Sequence, residues 1–304
     1  MPLTAIIHTK NAATTVRAAL ESVKFADEIV VVDMESTDGT PLIARDYTKH
    51  IFSHEDVGYA DPARNFGLSK ASQPWILVLD ADEEVPVSLK ELIQAIVSGT
   101  VGAELQADAY YLPRRNEIFN TLIKHSGWWP DYQLRLFKKG TVTWQDGVHR
   151  LPDATGTSVY LPASDANALL HHNYQSVTQF IDRLNRYTSI KANETKDTDP
   201  QVTESTLLTL FSGEFFSRYF AHQGYKDGAH GMALSLLQSM YQVTVQLKQW
   251  DKQHFPAHHQ NLQNVDKGLR KFQKELNYWL ADAQVQNTSG LKKIYWQIRR
   301  KWCL

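Results

Sequence analysis

Residues 75–84 read WILVLDADEE, with Trp75, Ile76, Leu77, Val78 and Leu79 followed by Asp80, Ala81, Asp82, Glu83 and Glu84. Five apolar residues bounded by polar ones are too short a run for a helix and read as a strand buried on both faces. The acids therefore leave a strand's carboxyl end. In an open α/β sheet the loops at that edge form the crevice that takes ligands. Four carboxylates in five residues repel one another unless a cation or buried donors offset the charge, and a hard divalent ion prefers such oxygen ligands. A metal carrying a phosphate suits Asp80 and Asp82. For Glu83 an exposed acidic turn is the better reading, because Glu83, Glu84 and Pro86 all favour the N-terminus of a following helix.

Working outward, short β-rich runs alternate with helical patterns, which predicts a mostly parallel sheet with helices on both faces. Leu3 to Ile7 is the first strand and Ala13 to Val23 the first helix. The second strand, Glu28 to Val32, ends at Asp33 and opens into Glu35, Ser36, Thr37, Asp38, Gly39 and Thr40. A brief third strand near Ile51 leads to Asp61, Arg64 and Asn65, which open a helix running to Ala71. The predicted fold class is α/β and Rossmann-like. HTKNAATT follows the first strand in place of GxGxxG, which disfavours a dinucleotide oxidoreductase, and no GxxxxGK[ST] is present for a P-loop. The remaining way to hold a nucleotide diphosphate is side-chain recognition of base and ribose plus a metal on the phosphates, with Asp33, Asp80 and Asp82 as the parts.

Composition bounds the class. A chain of 304 residues with 42% hydrophobic content and a formal charge of -1 is an ordinary globular protein, with no basic excess to suggest nucleic acid. The lone cysteine, Cys303, excludes an internal disulfide framework and a Cys-rich zinc site, and fits a reducing compartment. The opening MPLTAIIHTKN lacks a basic stretch followed by a long apolar one, so no signal peptide is expected and a cytoplasmic location is.

The run AIIHTKN, EIVVVDMESTDGT, ARNFGL and WILVLDADEE resembles the inverting glycosyltransferases of family 2, which have the GT-A fold. WWPDYQLRLFKK, WQDGVHR and GYKDGAHG resemble the branch containing the lipopolysaccharide core β-1,4-glucosyltransferases. The resemblance covers roughly residues 1–250, with four motifs in the family's order in the first 150. Two positions depart from that branch: Glu35 stands where it usually has Gly, and Arg150 where it has an acid after the VH motif.

This resemblance implies a site. Asp33 would accept a hydrogen bond from a uracil imide or the ribose, with capping of its own turn as the structural alternative. Thr9 and Asn11 would line the base pocket. Arg64 would contact the nucleotide or its diphosphate, or else be a surface helix arginine paired with Asp61. Asp80 would touch the ribose or the metal through water, and Asp82 would ligate a divalent ion, manganese or magnesium, bridging the two phosphates. His149 would complete the coordination, with His171 and His172 as weaker candidates. Inversion needs a base opposite the leaving group. Asp131 is the candidate, with Glu84 and Asp146 as competitors and a turn acid after proline as the alternative. Trp128 and Trp129, as exposed indoles, would stack on an acceptor sugar, or else be buried.

The second half reads as helical, with a loop at Thr195 to Glu204. The uncharged stretch Gly231 to Leu247 approaches the length of a membrane span, but its Ser, Gln and Thr residues favour packing on the catalytic domain. Leu262, Val265, Leu269, Phe272, Leu276, Trp279 and Ala283 follow an a/d spacing, which suits a hairpin onto the preceding helix or a homodimer seam. In the tail, Leu291, Ile294, Tyr295 and Ile298 form an apolar stripe beside Lys292, Lys293, Arg299, Arg300 and Lys301, the profile of a membrane-interface helix or of a solvated terminal one. The expected organisation is a nucleotide-sugar-binding domain over residues 1–170, a helical acceptor-side region over 171–250, and a heptad helix with a basic tail over 251–304. The expected activity is metal-dependent, inverting transfer of a hexose, most simply from a UDP-sugar, to an envelope glycan or lipid-linked acceptor at the inner face of the cytoplasmic membrane. A polyprenyl-phosphate sugar synthase and a non-catalytic scaffold are the alternatives.

Overall fold

A computed structural model describes residues 1–58, 61–145, 152–194, 202–256 and 262–302. The chain forms two compact units, one of Met1–Leu122 with Trp129–Gln175 and one of Ile123–Trp128 with Ser176–Leu304.

The first unit carries strands β1 (Leu3–Thr9), β2 (Glu28–Asp33), β3 (Ile51–Ser53), β4 (Trp75–Asp80), β5 (Glu83–Glu84), β6 (Ala109–Leu112), β7 (Arg114–Ile118), β8 (Thr121–Leu122), β9 (Gln133–Lys138), β10 (Val142–Thr143), β11 (Asp153–Ala154), β12 (Ser158–Tyr160) and β13 (Leu169–Tyr174). Its helices are α1 (Val16–Ser22), α2 (Thr40–Ala44), α3 (Asp61–Lys70) and α4 (Val87–Ser98). The main sheet has the order β12-β6-β9-β4-β1-β2-β3, in which β4, β1, β2 and β3 run parallel and β9 runs antiparallel to both β4 and β6. A smaller sheet has the order β5-β13-β7-β8.

Strands β1 and β4 are apolar on successive residues because both faces of the sheet are covered. Ala5, Ile7, Val31, Leu77 and Leu79 point into one core with Leu20 of α1 and Leu89 and Ile93 of α4. Ile6, Val30, Val32, Ile76 and Val78, one residue out of step, point into the other with Ala63 of α3 and Phe137 of β9. This is the period of 2 expected of a doubly covered strand. Helix α3 lies close on the sheet: a Cβ on Gly67 would come within 2.9 Å of Ile6 Cγ2 and 3.1 Å of His8 Nε2. Glycine there lets α3 approach the sheet closely.

The α/β reading holds, with shifts at element ends. Helix α1 begins at Val16 because Ala12 to Thr15 form a turn, closed by Thr15 N–H donating to the Ala12 carbonyl. The acidic run is not an exposed turn. Glu83 and Glu84 pair with His171 and Leu170 as β5, Pro86 becomes the N-cap, and α4 starts at Val87.

The second unit holds α5 (Val177–Glu194), α6 (Glu204–Phe216), α7 (Gly228–Lys252), α8 (Leu262–Asn287) and α9 (Gly290–Trp302). Most of the expected loop, 195–201, lies outside the described residues. The uncharged stretch sits within α7, whose Ser235 and Ser239 are buried and donate to the carbonyls of Gly231 and Ser235. No helix among the described residues is long and apolar enough to cross a membrane. Part of the a/d seam of α8 packs inside the unit: Phe272 meets Phe216 of α6 at 5.2 Å between ring centres and Trp279 meets Phe220 at 6.5 Å, while Leu262 and Leu269 are exposed.

Candidate functional site

The carboxyl ends of β1 and β2 place Thr9 opposite Asp33. Both are buried, and Asp33 accepts from Thr9 Oγ1 at 2.8 Å and from Ser36 N–H at 3.0 Å. Its carboxylate is thereby fixed in direction at the carboxyl edge of the sheet while closing its own turn. Asn11 stands on the loop after β1 in a left-handed conformation (φ 47°). Its Oδ1 accepts from Thr37 N–H at 2.8 Å and its own N–H donates to Ser36 Oγ at 2.8 Å, so it ties the two edge loops together. Glu35 is left-handed as well (φ 55°), which gives a physical reason for glycine at this position in the resembling branch.

Beyond β4 the side chains form an alternating ionic chain: Arg64, Asp80, Arg135, Glu83, Arg114, Asp131. Arg64 Nη2 donates to Asp80 Oδ1 at 2.8 Å, and Arg135 Nη2 to Asp80 Oδ2 at 2.6 Å and to Glu83 Oε1 at 2.7 Å. Arg114 Nη1 reaches Glu83 Oε1 at 2.9 Å and its Nη2 reaches Asp131 Oδ2 at 2.5 Å. Glu83 is wholly buried, and its Oε2 accepts from Asp80 N–H at 3.1 Å. The repulsion among the acids is therefore offset in part by buried guanidiniums. Burial alone would raise the Asp80 pKa, but Arg135 and Arg64 outweigh it and hold the carboxyl well below the usual range. Burial and Arg114 oppose each other in the same way at Asp131, where Asn116 and Gln133 add donors and the net shift is downward.

Arg64 is accordingly no surface arginine. It is buried, its guanidinium lies 5.7 Å from the Trp144 ring centre, and it pairs with Asp80. His8, opposite Asp80 across β1 and β4, is pushed down to about 3 by burial, assisted by Arg64, and stays neutral.

Asp82 lies at the turn into β5, and its Oδ1 is 3.6 Å from His171 Nε2. Asn116 sets the tautomer of that imidazole. Its Nδ2 donates to Asp131 Oδ2 at 3.1 Å, so its Oδ1 faces His171 Nδ1 at 2.6 Å and requires that nitrogen to carry the proton. In the neutral ring the Nε2 lone pair then faces the Asp82 carboxylate. Two acceptors so placed suit a shared cation. Adjacent ligands of an octahedral ion with bonds of about 2.1 Å lie about 3 Å apart, a small turn of either side chain from this spacing. Among the described residues no group of three or more His, Cys, Asp or Glu is set to hold a metal by protein ligands alone. His149 and the competitor Asp146 lie outside the described residues, as does Arg150. His172 faces the other way: Nδ1 lies 2.6 Å from Glu117 Oε2 and Nε2 2.6 Å from Glu84 Oε1, which occupies Glu84.

Trp128 and Trp129 are half-buried rather than exposed. Trp128, in the second unit, lies under Arg218 at 5.6 Å, and that arginine also donates to the Ser126 carbonyl at 2.9 Å. Trp129 precedes Pro130 and Asp131 in the first unit. The residues missed in sequence are Arg135, Arg114 and Asn116. Arg135 in the buried strand QLRLF was the available signal, since an arginine at the centre of an apolar strand needs a buried acid.

The open sheet thus carries acids at its carboxyl edge, an oriented carboxylate at Asp33 and an oxygen-nitrogen pair at Asp82 and His171. Residues 4–151 match the family model described as Glycosyl transferase family 2. The lipopolysaccharide core biosynthesis glycosyltransferase LpsC of Rhizobium meliloti is 25% identical over 281 residues, 88% of this chain and 98% of LpsC. An uncharacterized glycosyltransferase of Rickettsia felis is 28% identical over 256 residues, 77% of this chain and 84% of that protein. Among solved structures, S. aureus TarS 1–349 in complex with UDP-GlcNAc aligns with a TM-score of 0.44 and 14% identity, covering 100% of this chain and 89% of that one. Glucosyl-3-phosphoglycerate synthase from Mycobacterium tuberculosis with Mg2+ and UDP aligns over 36% of this chain and 43% of that one, with a TM-score of 0.28 and 18% identity. Glycosyltransferase is the activity the family and sequence matches support.

Proposed function

We propose that the protein transfers a hexose from a UDP-sugar, with inversion, to a glycan or lipid-linked acceptor of the cell envelope at the inner face of the cytoplasmic membrane. The observation that carries this reading is the placement of Asp82 Oδ1 and His171 Nε2, 3.6 Å apart, beside the strand edge that holds Asp33. Asp33 would accept the uracil imide or a ribose hydroxyl, in the loop frame set by Thr9 and Asn11. Asp82, with His171 in the part first assigned to His149, would hold manganese or magnesium. The ion would offset the charge that builds on the departing diphosphate. Arg64 and Arg135 keep Asp80 ionised at the ribose edge. Asp131 would take the acceptor hydroxyl's proton. Because Arg114 holds Asp131 as the weakly basic carboxylate, that contact must lengthen as the acceptor enters. Trp129, two residues before Asp131 in the chain, would offer an indole face to the acceptor sugar.

LpsC, aligned over most of both chains, supports an envelope glycan acceptor. The test is transfer of labelled glucose from UDP-glucose, with manganese, to truncated lipopolysaccharide and, in parallel, to polyprenyl phosphate. Label in the glycan supports the proposal. Label in polyprenyl phosphate alone would move the assignment to a polyprenyl-phosphate sugar synthase.

A further inference from the structure

The terminal helix α9 packs on α8 in a specific orientation. Arg300 Nη1 reaches Asp282 Oδ1 of α8 at 2.7 Å, and Trp296 on the same side is half-buried. At about 100° per residue, Leu291, Ile294, Tyr295, Ile298 and Trp302 share an arc about 100° wide on the opposite side. These side chains are 85%, 52%, 54%, 53% and 67% exposed. An amphipathic helix packed in a globular protein turns its apolar stripe inward. Helix α9 turns it outward.

The borders of the stripe are cationic. Lys292 and Arg299 flank one side and Lys301 the other, and α9 contains no acid. We infer that α9 is a membrane-surface anchor, docking its 291/294/295/298/302 face into the interface of an anionic bilayer while its Trp296/Arg300 side stays on α8. Thirteen residues extend about 20 Å, too short to cross a hydrocarbon core of about 30 Å, so the helix lies in the plane of the surface. Tyr295 and Trp302 have the amphipathic rings suited to headgroup depth, and the flanking cations complement acidic headgroups. A second copy fits less well. Stripe-to-stripe packing about a two-fold axis brings Lys292, Arg299 and Lys301 against their own copies with no acid on α9 to offset them.

The inference rests on residues outside the sugar-transfer site and goes beyond that reading. Its test is co-sedimentation of the full chain with vesicles of phosphatidylcholine alone and of phosphatidylcholine with 30% phosphatidylglycerol, together with sedimentation velocity. Wild type is expected on the anionic vesicles and not on the neutral ones. Binding should fall at least tenfold in Ile294→Glu/Ile298→Glu and in Lys292→Glu/Lys301→Glu. All four positions are exposed, so both variants keep the fold. Equal vesicle binding by wild type and both variants would overturn the inference. So would a dimer that Ile294→Glu/Ile298→Glu dissociates with no vesicle binding by wild type.

Discussion

Arg135 Nη2 stands 2.7 Å from Glu83 Oε1, and both side chains are almost entirely withdrawn from solvent, at 3% and 0% exposure. The acid comes from the run after β4 and the arginine from β9, the antiparallel neighbour of β4. The pair thus fixes the turn bearing Asp80 and Asp82 to the sheet.

Breaking that pair from either side removes one of two buried partners, since Glu83 keeps Arg114 and Arg135 keeps Asp80, so the cost falls toward the lower end of the about 3–5 kcal/mol of a fully broken buried pair. Arg135→Ala and Glu83→Gln should each lose stability of that order in urea unfolding monitored by circular dichroism. A loss below about 1 kcal/mol in both would mean the pair is not the anchor of the turn.

Asp131→Asn should lower the transfer rate by about 10²–10⁴ while UDP binding stays within a few-fold, because a general base acts on the acceptor and not on the nucleotide. Initial rates beside calorimetric UDP titrations separate the two effects. Unchanged rates would pass the role to another group and favour a phosphate acceptor.

His8 sets a pH dependence. Its folded pKa is depressed to about 3, so between its ordinary value of about 6.5 and that point only the unfolded chain takes up the proton. Stability from this residue is present above pH 6.5 and lost as pH falls. Between pH 7 and 4.5 the loss should be about 2–3 kcal/mol. Urea midpoints of His8→Asn should show a correspondingly flatter slope over that range. The depressed Asp80 and Asp131 act in a lower window, retaining their contribution until pH falls below the ordinary carboxylate value.

Glu35→Gly should raise stability by about 0.5–1 kcal/mol, since a left-handed backbone penalises a side chain more than the freer unfolded glycine costs. The contact surrendered is weak, with Glu35 Oε2 accepting from Asp56 N–H at 3.4 Å. A lower thermal midpoint in the variant would contradict this.

The parallel core was legible because β1, β2 and β4 are apolar runs ending in polar residues, and burial on both faces requires that composition. Asp33 and Asp80 were legible as strand-end acids for the same reason. Glu83 was not. The run DADEE looks alike along its length, and only the pairing of Glu83 with His171 and the arrival of Arg135 from another strand separate it from an exposed turn. Which of His171 and His172 faces Asp82 was not legible, because a period-2 alternation in LLHHNY does not say which imidazole points that way. Register with Asn116 and Glu83 decides that, and register is a long-range property. The a/d spacing of α8 was visible, but the packing of its Phe272 on Phe216 of α6 was not, since one helix's stripe does not name the surface that covers it.

The most direct test of the donor site is calorimetric titration of the full chain with UDP in manganese and in chelator, for wild type and Asp82→Asn. The site described here predicts manganese-dependent UDP binding that weakens at least tenfold in chelator and in Asp82→Asn. Tight UDP binding unaffected by chelator and by the substitution would contradict a metal held at Asp82, and no binding of UDP or other nucleoside diphosphates under any condition would contradict the nucleotide-sugar site itself.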